Sequence, residues 1–114
     1  MANLPNTTTT TVLELQRRLL KIINEATAVG FIILEQYGET EITLVALEDL
    51  QNVRERANTY YSRFYTLLLR IAESQPFATN AMLNLLARSI EDAQATADGS
   101  EATIQEEKRN FNLP

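Results

Sequence analysis

The stretch "RANTYYSRFYTLLLR", residues 56–70, sets an arginine at every seventh position, Arg56, Arg63 and Arg70, with three tyrosines and a phenylalanine between them. Guanidinium groups grip phosphate or carboxylate through paired hydrogen bonds, and tyrosine offers a stacking face. Arg56, Tyr60, Arg63 and Arg70 are therefore the candidate anion-binding residues, for an anionic ligand or a nucleic acid. Asp49 and Glu55 lie close by, and residues 38–75 hold six acids against four bases. An ordinary nucleic-acid surface would carry more positive charge than that.

Other reactive chemistry is scarce. The chain has no cysteine and no histidine, which removes the thiolate nucleophile, the usual zinc ligands and the commonest proton shuttle near neutral pH. Serines 62, 74, 89 and 100 have no histidine base, leaving only uncommon schemes with Lys21 or Lys108. Gly30, Gly38 and Gly99 are isolated, so no glycine-rich phosphate loop exists. Glu14, Glu25 and Glu35 do not share a face with the apolar seam and read as solvated surface. The expectation is no enzyme, no metal and no cofactor.

A net charge of −5 disfavours both nucleic acid and an anionic membrane surface as partners. The most apolar run, residues 26–34, is closed by Glu25 and Glu35 and is too short to span a bilayer. The first residues lack the basic and apolar regions of a secretory signal, so the expected location is cytoplasmic.

The elements that would position these residues are helices. Val12, Leu15, Leu19, Ile22, Ala26, Val29 and Ile33 alternate at three and four, a spacing that only a helix places on one face. The threonine run ahead of them reads as part of a flexible arm, residues 1–10, with residues 11–114 forming one helical domain. Gly38 suits a helix end, Thr40 a cap and Glu41 the first turn of the next helix. A second periodic run, Leu50, Val53, Ala57, Tyr60, Phe64, Leu67 and Ile71, predicts a helix over about 43–74, broken at Pro76. A third seam follows through Leu83, Leu86, Ile90, Ala93 and Ala97, closed by Gly99. Ser100 would then cap a short fourth helix whose apolar content, Ala102, Ile104 and Phe111, is thin enough to leave it peripheral.

The predicted fold is thus an all-α antiparallel bundle of three long helices plus a short C-terminal helix. The alternative is α+β, with a β-hairpin at about 29–47 built from "VGFIILEQY" and "EITLVAL". With Leu50, Ala57, Phe64 and Ile71 at heptad position a, the three arginines fall at g, where such residues flank a seam and reach an acid on a neighbouring helix. Tyr61 at e and Tyr65 at b lie beyond a two-helix seam. Together with Phe31, Ile32 and Leu34 they form a surplus apolar set, the candidate interface. The function this predicts is a non-enzymatic interaction module, an adaptor or regulatory subunit. It would act through helix packing and self-association as a homodimer, with a second protein as the other candidate partner.

Overall fold

The computed structural model describes residues 2–114. Three helices, α1 (Asn6–Tyr37), α2 (Glu41–Glu73) and α3 (Asn80–Asn110), lie alongside one another in a rod of 56 × 19 × 17 Å. No strand occurs among the described residues, so the hairpin alternative at 29–47 is overturned: that segment is the end of α1, a turn, and the start of α2. The heptad spacing outweighed the β-branched content of the run, because one apolar face shared by two antiparallel helices buries more than a lone hairpin could.

Local signals set the ends. Thr40 caps α2: its Oγ1 accepts from the Thr43 backbone N–H at 3.1 Å, while Thr43 Oγ1 accepts from the Thr40 N–H at 2.7 Å. Gly38 takes φ 69°, a region open to glycine, and its N–H closes α1 on the Leu34 carbonyl at 2.9 Å. At the start of α3, Thr79 accepts from the Met82 N–H at 3.2 Å.

Two expectations are corrected. The threonine run is helical rather than a loose arm. α1 begins at Asn6, Pro5 occupies the cap position, and its carbonyl accepts from the N–H groups of Thr8 and Thr9. Ahead of it Leu4 is buried, and Asn3 Oδ1 accepts from the Ala78 N–H at 3.0 Å, which ties the start of the chain to the α2–α3 turn. There is also no separate fourth helix, because α3 runs unbroken through Gly99 and Ser100 to Asn110. Its seam is Leu86, Ser89, Ala93, Ala97, Ser100, Ile104 and Glu107, leading to Phe111. Three polar residues on that seam hide its continuity. Ile104 and Phe111 are buried rather than peripheral, and the Tyr37 hydroxyl donates to the Phe111 carbonyl at 2.7 Å with the two rings edge to face.

The core is one cluster along the axis. Every predicted seam position of α1 is buried, and so is every one of α2 except Tyr60, which is half-buried. Ser89, Ala93, Ala97 and Ser100 give the middle of α3 a thin profile, and all four are buried. Neither Ser89 Oγ nor Ser100 Oγ makes a hydrogen bond. Among the described residues no helix is long and apolar enough to cross a membrane.

Candidate functional site

Heptad phase assigns an edge to each flank of α1 and α2. With Val12, Leu19, Ala26 and Ile33 at a, Arg18 and Glu25 of α1 fall at g, and both reach α3. Arg18 donates to both carboxylate oxygens of Glu101, Nε to Oε2 at 3.0 Å and Nη2 to Oε1 at 2.6 Å, and also to Asp98. Glu25 pairs with Lys108 at 2.8 Å. The Arg18 guanidinium, through its hydrogen bond above all, holds the Glu101 carboxyl below the usual range. On α2 the g residues Asp49 and Arg56 share a groove with Thr103, Glu106 and Glu107 of α3. The third helix therefore sits against the charged g edges of both others.

The e and b positions form the opposite edge, away from α3. Gln16 Nε2 of α1 donates to the Tyr61 carbonyl of α2 at 3.4 Å. A shallow groove further along is lined by Gly30, Phe31 and Leu34 on one side and Leu47, Gln51 and Arg54 on the other, with no residue of α3. Gly30 permits this closeness, since a Cβ there would meet the Leu47 side chain at 3.2 Å. On α1 from Leu13 to Leu34 the e and b residues are Leu13, Gln16, Leu20, Ile23, Thr27, Gly30 and Leu34, while Tyr37, the next e residue, turns onto Phe111 at the end of α3. On α2, from Leu44 to Leu68, Arg54 is the only charged residue at such a position. Leu13, Leu20 and Tyr65 are 53%, 50% and 61% exposed, and Phe31 at the adjoining f position is 64% exposed.

The candidate interface residues therefore divide. Phe31, Leu34 and Tyr65 lie along this outer edge and face solvent, so the second half of α1 is not buried on all sides within one chain. Tyr61 is half-buried against the core on the same edge. Ile32 occupies a g position, in register with Arg18 and Glu25, and is 38% exposed. The strip is also long: Leu13 to Phe31 covers about 27 Å at 1.5 Å per residue.

The arginine stripe is not gathered into one cleft. Arg56 sits in the acidic groove, while Arg63 and Arg70 line a separate one with Thr59, Ser62, Thr66, Leu67 and Leu85. Arg63 lies over the Tyr60 ring, 5.0 Å from its centroid, a cation–π contact within one helix. None of the three forms an ion pair among the described residues, although their g position does face α3. The hydroxyls of Thr59 and Ser62 are turned to their own helix, onto the Glu55 carbonyl and Asn58 Oδ1.

One feature gave no sequence signal. Glu107 stands at a seam position of α3 and is 6% exposed. Burial above all, and then the charges of Asp49 and Glu106, push its carboxyl up from the ordinary value of 4.5. It adjoins a groove of about 690 Å³ between the start of α2 and the end of α3, floored by Ile42, Val45, Ala46 and Phe111.

Comparison with protein-family models, with curated proteins and with solved structures returned no match.

Proposed function

We propose that this chain is a non-enzymatic helical interaction module that self-associates through the outer edge of α1 and α2. The observation that carries the reading is the disposition of α3. It lies along the charged g edges, and the nearly charge-free e and b edge is left to solvent. A face of that kind on a rod is more apolar than solubility requires, and burying it is worth about 1.5–3 kcal/mol for each large side chain fully covered. A second copy meets the same strip across a two-fold axis, and almost no charge opposes the approach. The two α1–α2 pairs would then form a four-helix interior flanked by the two α3 helices.

Light scattering coupled to size exclusion tests this. The expected mass at micromolar concentration is twice the 12.9 kDa of one chain, returning to one chain in the Leu20→Glu/Phe31→Glu variant. A monomeric wild type refutes self-association. A dimer indifferent to both glutamates places the interface elsewhere.

A further inference from the structure

We propose that the groove between the start of α2 and the end of α3 is a docking site for a basic amphipathic segment of a partner protein. The lysine or arginine of that segment would meet Glu107 and Asp49. This is a different surface from the α1–α2 edge and does not depend on self-association.

The carboxyl of Glu107 lies at the inner end of the groove, beside Asp49 and Glu106. An ionised group taken out of water is costly unless a partner of opposite charge or several donors replace the solvent. The other carboxylates bonded across helices are answered in this way, Glu25 by Lys108 and both Asp98 and Glu101 by Arg18. Glu107 is 6% exposed and no ion pair reaches it among the described residues; the side chain that meets it is the Asp49 carboxyl, a hydrogen-bond partner only while the two share a proton. Its neighbours make the deficit worse, with Asp49 across the groove on α2 and Glu106 beside it on α3. Arg56, on the adjoining stretch of α2, makes no ion pair with any of them.

The floor of the groove specifies what carries the cation. Ile42 and Val45 are 74% and 61% exposed, and Ala46 and Phe111 continue their surface inward. A bare metal ion would have no use for such a floor, and no three carboxylates converge as a ligand set among the described residues. A nucleic acid or an anionic membrane would be repelled by Glu41, Asp49, Glu106 and Glu107, and a second copy of this acidic chain would meet the same repulsion. The complement is a short helix with aliphatic residues on one face and a base beside them, laid into the groove along α2. From Glu41 to Asp49 the groove runs about 12 Å at 1.5 Å per residue, room for roughly two turns of such a helix.

The test uses the full chain and a fluorescein-labelled amphipathic peptide of leucine and lysine, about 12 residues long and patterned for a helix of three turns. Fluorescence anisotropy gives its affinity for the wild type, for Glu107→Gln/Asp49→Asn, for Val45→Lys, and for Glu14→Gln as a remote surface control. Circular dichroism confirms that each variant is folded. Binding should weaken at least about tenfold in the double amide variant and in Val45→Lys, and by less than about twofold in the control. The same pattern with glutamate in place of lysine should not bind, and spermidine should compete poorly because it cannot use the apolar floor. Equal losses in all variants would mean nonspecific attraction to an acidic protein and would overturn the proposal. Spermidine binding as tightly as the peptide would also overturn it, in favour of a simple polycation site. Loss of binding in Leu20→Glu/Phe31→Glu, with Glu107→Gln/Asp49→Asn unaffected, would move the peptide to the α1–α2 edge.

Discussion

The outer edge of α1 and α2 and the groove between α2 and α3 are both uncovered surfaces, and they ask for opposite partners. The first spreads Leu13, Leu20, Phe31, Leu34 and Tyr65 along the rod with Arg54 as the single charge at its e and b positions. The second sets Ile42 and Val45 beside four carboxylates, one of them buried. A strip with so little charge complements itself, so two copies can close on it. An acidic groove repels its own copy and is satisfied only by a base brought from elsewhere. Apolar exposure alone does not say what covers a surface; the charges at its margin do.

The comparison breaks altogether when the scaffold common to both faces is removed. Phe64 is fully buried and belongs to the core cluster on which all three helices pack. Phe64→Ala should cost about 3–5 kcal/mol, read as a lower denaturation midpoint, and both binding activities should go with it. Leu20→Glu/Phe31→Glu acts on one face only. Self-association should weaken at least about 100-fold, as expected for two apolar contacts of about 1.5 kcal/mol each, while the basic peptide still binds. Because both side chains are half exposed or more, the melting temperature of the dissociated chain should stay within a degree or two, the scale of ordinary surface substitutions.

Glu107→Gln sharpens the other side. The folded carboxyl takes up its proton at higher pH than the unfolded one, so its contribution to stability is fully present below the ordinary value of 4.5 and is lost as pH rises through the raised folded value. Asp49 and Arg56 from α2 and Glu106 from α3 face it throughout this range. The glutamine variant should therefore match the wild type in acid and exceed it at neutral pH, measured by thermal melts across pH. A wild type that gains on the variant as pH rises would mean that Glu107 finds a cation within its own chain. The smallest effect belongs to the seam itself: Ser100→Ala removes a buried hydroxyl without a partner, and urea denaturation should place its stability at or slightly above that of wild type.

Much of this architecture is legible because α1 and α2 place aliphatic or aromatic residues at nearly every a and d position, and the burial of Val12 through Ile33 and of Leu50 through Ile71 follows the reading at every seam position but Tyr60, which is half-buried. The third helix was less legible. Ser89, Ser100 and Glu107 occupy seam positions with polar side chains, so the apolar count fades after Ala97. Gly99 then looks like an end, although its φ is not positive and a Cβ there would meet nothing within 4 Å. The Glu107 site was hidden for the same reason, since a glutamate between Glu106 and Lys108 reads as surface until its depth is known.

The spacing of apolar residues by itself determined that the chain is helical, where its first two helices turn, and which of their faces meet. Only the tertiary structure decided on which side of the α1–α2 pair the third helix lies. Period and propensity are equal for either edge of a two-helix pair, so neither can choose between them. The choice depends on contacts between residues far apart in sequence, Arg18 with Asp98 and Glu101, and Glu25 with Lys108. Those ion pairs go with α3 on the charged g edges, and the apolar edge is thereby left open.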